Sequence, residues 1–285
     1  MKMKKVAVLG AGRMGAGIAQ VTAQGGFHVI LRDLQTAVVK DALGLIERNL
    51  DRSIAEGQLT ALDKAEIMGR IQGTTDLNSV READLVIESV VENMAVKKQI
   101  FAELDNICHE HAILATNTSS LSINEIAAAT KRTDRILGMH FHNPVPYTKP
   151  VELVRGLHTS TETLETAKQF ASAINKSHVV VERESPGFIM NRILVPFLNE
   201  AIFLLSEGIA SREDIDKCIR DGLGLAQGPL EIADAMGLDK LHEVIVSFYE
   251  EFRDPKYRPP MYLTSLVRSG HLGKKSGKGF YDYSN

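Results

Sequence analysis

Cysteine is nearly absent: Cys108 and Cys218 are the two in a chain of 285 residues. They lie far apart and lack the short spacing of metal-ligand pairs, which argues against a disulfide framework and a zinc site. No metal is expected, and a reducing cytoplasm suits such a chain. No apolar run approaches the roughly eighteen residues that a bilayer-spanning helix needs, so no membrane partner is expected. Neither sign of charge dominates. A net charge of −3 and a pI near 6.3 give no global basic field, so nucleic acid is not an expected partner either. Repeats and low-complexity tracts are missing as well. Met1-Lys-Met-Lys-Lys5 ahead of Val6–Leu9 has the outline of a secretion signal, but its apolar run is too short and leads straight into glycines.

What is present is 44% hydrophobic residues, enough for two domains with real cores. The most informative segment is Val6-Ala-Val-Leu-Gly10-Ala-Gly12-Arg13-Met14-Gly15. A short buried strand turns sharply into a helix there, which is how a pyrophosphate is held. Gly10 permits the turn, Gly12 lets backbone approach phosphate oxygens, and Gly15 lets the helix pack closely on the sheet. The first helical residues, Arg13 and Met14, present free N–H groups to the anion. Met14, Ile18 and Val21 then form one apolar stripe, and Gly25-Gly26 ends the helix. A β-rich run, Phe27 to Leu31, delivers Asp33 at its end, about twenty residues on, where an acid meets ribose hydroxyls. A carboxylate there favours NAD over NADP. Arg32 beside it reads as a solvated edge charge.

Residues 1–184 alternate β-rich runs with helical patterns, predicting an α/β, Rossmann-like, mostly parallel sheet with helices on both faces. The candidate strands are Val6–Leu9, Phe27–Leu31, Asp84–Val91, Ala112–Thr116, Ile136–Phe141 and His178–Glu182. The long charged stretch from Leu34 to Arg70 exceeds one crossover and predicts a helical pair that projects toward substrate. Residues 185–285 read as a smaller all-helical domain. Within it, Phe188–Leu205 is apolar around much of its circumference, with Pro196 as a kink, so burial on several sides is expected, either in a subunit interface or in an internal core. Ser211 reads as a helix N-cap, with Glu213 and Asp214 complementing the dipole.

Hydride chemistry needs a group that takes the alcohol proton, and imidazole is the side chain suited to that near neutrality. His140 sits at the carboxyl end of a strand, where open parallel sheets collect ligands. Glu152, in another short β-like run, is placed to bond its second ring nitrogen. Ser119 follows a buried strand and offers a hydroxyl to a substrate oxygen. A helix cap is the alternative for that segment, and Ser122 suits the cap better. Asn191 opens the broad apolar helix, where it either reaches the same oxygen or caps. Glu92 and Lys97 form either a local helix pair or contacts to ribose and nicotinamide.

Taken together, Gly10-Ala-Gly-Arg-Met-Gly-Ala-Gly-Ile-Ala-Gln20, Val90-Val-Glu-Asn93, Ala115-Thr-Asn-Thr-Ser-Ser120, Gly138-Met-His-Phe-His-Asn-Pro-Val-Pro146, Ser185-Pro-Gly-Phe-Ile-Met-Asn-Arg192, Gly228-Pro-Leu-Glu-Ile-Ala-Asp234 and Lys275-Ser-Gly-Lys-Gly-Phe-Tyr281 cover nearly the whole chain. With them the chain resembles the L-3-hydroxyacyl-CoA dehydrogenases, in particular their short, stand-alone bacterial members. The resemblance implies reversible, NAD-dependent oxidation of an L-3-hydroxyacyl-CoA, with short-chain substrates such as 3-hydroxybutyryl-CoA. It implies His140 as general base with Glu152 its partner, Ser119 and Asn191 on the substrate's 3-oxygen and acyl portion, and Glu92, Lys97 and Asn117 on the cofactor side. It also implies a homodimer formed through the helical domain, with acyl-CoA bound between the domains.

Two departures stand out. His142 replaces an apolar residue usual in the family and is expected to point away from the active strand. Asn49 and Glu56 stand where some relatives offer a serine and a lysine to CoA, leaving Arg48, Arg52 or Lys64 as partners for the 3′-phosphate. The rival functions are a CoA-independent hydroxyacid or sugar-acid dehydrogenase on the same scaffold, and a non-catalytic NAD-binding module.

Overall fold

The computed structural model describes residues 3–284. The chain divides into two compact units, Met1–Ser185 and Pro186–Asn285.

The first unit runs β1 Lys5–Leu9, α1 Arg13–Gln24, β2 His28–Arg32, α2 Thr36–Ala55, α3 Ala61–Gly69, β3 Ile71–Thr74, β4 Leu85–Glu88, α4 Met94–Ile107, β5 Ile113–Thr116, α5 Ile123–Ala127, β6 Ile136–Phe141, β7 Pro150–Arg155, α6 Thr161–Ala173 and β8 Ser177–Val181. One sheet results, in the order β3-β2-β1-β4-β5-β6-β7-β8. Every pairing is parallel except β6 with β7, which is antiparallel. Strand order reverses between β1 and β4, and such a reversal opens a crevice at the strands' carboxyl ends. The central strands β4, β5 and β6 are buried along their whole length, as expected of a sheet covered on both faces.

Sequence periodicity missed β3. This edge strand, Ile71-Gln-Gly-Thr74, has one apolar residue and no fully buried one, so no alternation marks it. The helical pair between β2 and β3 exists, but α2 does not stand clear of the domain. Val39, Ala42, Ile46 and Leu50 on one face of α2 are buried in the sheet-side core with Val21 and Leu31.

The second unit consists of α7 Met190–Ser206, α8 Arg212–Leu223, α9 Pro229–Met236, α10 Leu238–Phe252 and α11 Met261–Arg268. Its core is built from Leu198, Ile202, Leu230, Leu241, Ile245, Phe248 and Leu263. Ser211 caps α8 by accepting from the Asp214 N–H, and Gly224, at φ +67°, ends that helix. Two buried carboxylates organise the rest. Asp216 accepts from the N–H groups of Leu230 and Glu231 at the start of α9, at 2.7 and 3.0 Å. Asp234 accepts from Phe280 and Tyr281 N–H at 2.9 and 3.0 Å and so ties down the C-terminal segment. Burial raises both carboxyl pKa values, against the pull of these donors. Helix α7 is less enclosed than its composition suggests. Val195, Leu198 and Ile202 are buried, Leu194, Phe197 and Phe203 are half-buried, and Ile193 is 69% exposed.

Candidate active site

The glycine turn is built as a cradle. Gly10 has φ +91°, and a Cβ on it would lie 2.4 Å from the Ser89 carbonyl oxygen. A Cβ on Gly15 would lie 1.7 Å from the Gly10 carbonyl oxygen, so only glycine lets α1 come this close. Gly12 differs, because nothing stands within 4 Å of its Cβ position and the backbone is open on that side. Helix α1 begins there without a side-chain cap and without an acid in its first turn, leaving the N–H groups at Arg13 and Met14 and the positive helix end for an anion. Asp33 steadies the turn, its Oδ2 accepting from Ala11 N–H at 2.8 Å and its Oδ1 from Leu34 N–H at 2.7 Å. Oδ1 also accepts from Gln35 N–H at 3.4 Å, and Oδ2 keeps a lone pair for a hydroxyl. Arg32 donates to the Thr75 carbonyl at 3.3 Å, in keeping with its reading as an edge charge. Open backbone at Gly12, an unspent helix end and an acid at the end of β2 together fit a dinucleotide.

Beneath the next loops lies a closed polar cluster. Glu88, the last residue of β4, is fully buried. Its Oε1 accepts from Lys97 Nζ at 2.7 Å and from Val90 N–H at 2.8 Å, and its Oε2 accepts from Thr116 Oγ1 at 2.7 Å. Lys97 also pairs with Glu92 Oε2 at 3.3 Å. Glu92 Oε1 in turn accepts from Thr118 Oγ1 and from Ser119 N–H. The expected Glu92–Lys97 pair is therefore real, with Lys97 1% exposed and two of its three N–H donors directed at carboxylates. Asn93, not Glu92, caps α4, by accepting from Val96 N–H. Asn117 is bonded within the domain as well. Its Oδ1 accepts from Phe141 N–H at 2.8 Å and its Nδ2 donates to Ser89 Oγ at 3.3 Å, which ties the end of β5 to the residues following β4 and to β6. Glu88 and Thr118 were not singled out from sequence; the signal was an acid closing the otherwise apolar strand Leu85-Val-Ile-Glu88.

The loop held by this cluster carries Ser119, half-buried, whose hydroxyl has no hydrogen-bond partner among the described residues. Ser122 is the cap of α5, accepting from Glu125 N–H, and it donates to Glu184 at 2.7 Å.

The antiparallel β6–β7 register sets His140 directly opposite Glu152. Residues so paired lie on one face with adjacent Cβ atoms. The rings and carboxylate meet: His140 Nδ1 is 2.6 Å from Glu152 Oε2, with 8% and 3% of the side chains exposed. A carboxylate only accepts, so the neutral ring carries its proton on Nδ1 and keeps its lone pair on Nε2. The loop between the strands is pinned by Lys176, whose Nζ donates to the Val145 and Thr148 carbonyls.

His142 does not point away. Residues two apart on an extended chain share a face, so the alternation that aims His140 inward aims His142 with it. Its ring lies 4.5 Å from that of His140, edge to face, and its Nε2 is 3.5 Å from Glu152 Oε2. That nitrogen is buried without a hydrogen-bond partner among the described residues. Burial and the neighbouring His140 pull the His142 pKa down to about 4, against the opposing pull of Glu152. His140, His142 and Glu152 bring three ligand atoms within 4.8 Å of one another.

In the second unit, Asn191 is the second residue of α7 and half-buried; the helix has no side-chain cap, so Asn191 does not play that part. Of the CoA candidates, Lys64 is spent on Asp51 and Glu47 at 2.6 and 3.1 Å. Asn49 donates to Gln20 at 3.0 Å. Arg48 and Arg52 lie exposed on α2 without an ion pair among the described residues.

The family description "3-hydroxyacyl-CoA dehydrogenase, NAD binding domain" matches residues 5–185, and that family's C-terminal domain matches residues 187–283. The chain belongs to the 3-hydroxyacyl-CoA dehydrogenase family. A 3-hydroxybutyryl-CoA dehydrogenase of Clostridioides difficile is 44% identical over 98% of this chain and 99% of that protein. The human mitochondrial hydroxyacyl-coenzyme A dehydrogenase is 42% identical over 99% of this chain and 91% of its own length. Among solved structures, the (S)-3-hydroxybutyryl-CoA dehydrogenase of Ralstonia eutropha is 43% identical, with a TM-score of 0.96 and full coverage of both chains. As a 3-hydroxyacyl-CoA dehydrogenase, the chain is an NAD-dependent oxidoreductase whose first unit is the NAD-binding domain. None of its described helices is long and apolar enough to cross a membrane.

Proposed function

We propose that this 3-hydroxyacyl-CoA dehydrogenase interconverts short-chain L-3-hydroxyacyl-CoA, 3-hydroxybutyryl-CoA in particular, and the 3-ketoacyl-CoA, with His140 as general base. The observation that carries the reading is the 2.6 Å contact between His140 Nδ1 and Glu152 Oε2. It commits the Nδ1 proton to a carboxylate, so that Nε2 carries the lone pair that takes the 3-hydroxyl proton. Glu152 holds the ring in that tautomer and offsets the charge of the imidazolium once the proton has arrived. Bound NAD would supply the hydride acceptor for C3; Gly10, Gly12, Gly15 and the first N–H groups of α1 would hold its pyrophosphate, and Asp33 its adenosine ribose. Ser119 donates to the substrate's 3-oxygen from a loop fixed by Glu92, and Asn191 supplies an amide from the second unit. Arg52, with Arg48, provides an exposed positive site for the CoA 3′-phosphate.

The names of the closely similar proteins support the short acyl chain. A homodimer is supported by large apolar side chains left exposed in the helical unit, Ile193 at 69%, Ile209 at 67% and Met261 at 71% among them. A cytoplasmic setting accords with two free cysteines, one of them exposed.

The test follows NADH absorbance with acetoacetyl-CoA, longer 3-ketoacyl-CoAs and free 3-ketoacids in parallel, then repeats the set with NADPH. Preference for acetoacetyl-CoA with NADH is the expected result. Equal or faster turnover of a free ketoacid would sink the acyl-CoA reading.

A further inference from the structure

One polar atom beside the His140–Glu152 pair is unaccounted for by hydride chemistry: the buried, unpartnered Nε2 of His142, aimed at the Glu152 carboxylate from 3.5 Å. We propose that His140, His142 and Glu152 form an inhibitory site for a zinc-like divalent transition-metal ion.

The donor set and its spacing carry this. Two imidazole nitrogens and one carboxylate oxygen are ligands for zinc, at bond lengths of about 2.0–2.2 Å, and three protein ligands leave a fourth position open. Magnesium and calcium favour all-oxygen shells, so they are poor occupants. A tetrahedral ion with such bonds keeps its ligands roughly 3.4 Å apart. The His142–Glu152 separation, 3.5 Å, already matches. The His140–Glu152 separation of 2.6 Å must widen by roughly 0.8 Å, which replacing the shared hydrogen bond with an ion does. All three ligand atoms are within 4.8 Å of one another, and no other group of three such residues is so arranged among the described residues. His140 lies in β6, His142 immediately follows that strand, and Glu152 comes from the antiparallel neighbour, so the backbone brings them together on one face.

Inhibition follows from proton placement. The ion takes the Nδ1 lone pair of His140, and the single proton of the neutral ring moves through solvent from Nδ1 to Nε2. No net proton is lost, but the Nε2 lone pair that would accept the alcohol proton is gone. Glu152 is drawn onto the ion in the same step. This half of the inference rests on His140 as the base; metal binding itself does not.

The experiment titrates the full chain, stripped with EDTA, with zinc chloride by calorimetry, and with cobalt(II) chloride by visible absorption. Wild type, His142→Phe, His142→Gln and His111→Gln are compared, each checked by circular dichroism and NADH binding. His111 is the control because its exposed ring lies 6.4 Å from that of His109, an adventitious surface pair. Wild type and His111→Gln are expected to bind zinc at one shared strong site, with tetrahedral cobalt bands and loss of turnover that EDTA reverses. Both His142 variants should lose at least about 10–100-fold in zinc affinity, the loss reported even for residues that only support a ligand. Equal zinc affinity in wild type and both His142 variants overturns the site. Tight, His142-dependent binding that leaves wild-type turnover untouched overturns the inhibition, and with it His140 as base, while the site itself stands.

Discussion

Two buried polar clusters stand at the carboxyl ends of neighbouring strands, and they are completed to different degrees. Around Glu88, the lysine nitrogen, four carboxylate oxygens and two threonine hydroxyls all find partners. Around Glu152, one imidazole makes a short hydrogen bond while a second, His142, keeps a buried nitrogen unpartnered. A completed network spends its groups on shape: here it sets the Glu92 carboxylate that positions the Ser119 loop. An incomplete one retains groups that can still accept a proton or an ion, at a cost in stability. Under the proposed function, chemistry belongs to the second cluster and scaffolding to the first.

Variants at the two clusters should therefore fail in different ways. His140→Gln should lose about 10²–10⁴-fold in kcat, the usual worth of general-base catalysis, while NADH binding, followed by fluorescence, stays close to wild type. Lys97→Met should instead unfold the protein more easily. Removing one partner of a buried ion pair typically costs about 3–5 kcal/mol, and urea denaturation should show a loss of that size that Glu88→Gln added on top partly recovers. If Lys97→Met leaves stability intact and abolishes only turnover, the division of labour is wrong.

A finer distinction lies in pH. The His142 pKa is lowered in the fold from 6.5 to about 4, so below pH 6.5 the unfolded chain takes up a proton that the folded chain resists. Stability is complete above that pH and falls as pH drops from 6.5 through about 4. In buffers containing EDTA, thermal melts of His142→Phe should decline less over this window than wild type, with His140 and Glu152 still present in both. Identical slopes would mean that His142 is not strained by its site. The smallest effect serves as a yardstick outside both clusters: Ser211→Ala removes the α8 cap and should cost about 0.5–2 kcal/mol in the same urea experiment, with turnover unchanged.

The parts of this molecule written in local pattern were legible from sequence. The glycine turn, its strand and helix and Asp33 lie within the single stretch Lys5 to Asp33, and each has a steric or electrostatic reason that does not depend on the rest of the fold. Residues 140 and 152 were legible because each closes or occupies a short β-like run. Burial was not legible. Lys97 sits in a helix beside Lys98 and Glu103, which face outward, and only tertiary packing on Glu88 draws it inward. Strand β3 escaped because an edge strand with a single apolar residue has no period to read. His142 was a different kind of miss, since the two-residue repeat of a strand, applied correctly, places it beside His140.

The one antiparallel pairing in the sheet has a consequence for how this chain tolerates change. Because positions 140 and 152 are joined by one short connection, that connection can gain or lose residues freely only if Met139 stays opposite Leu153 and Phe141 opposite Val151. A shift of β7 by a single residue would turn Glu152 to the opposite surface of the sheet, away from His140. Length variation between the two strands should thus be silent or abolish turnover outright, with few intermediate phenotypes.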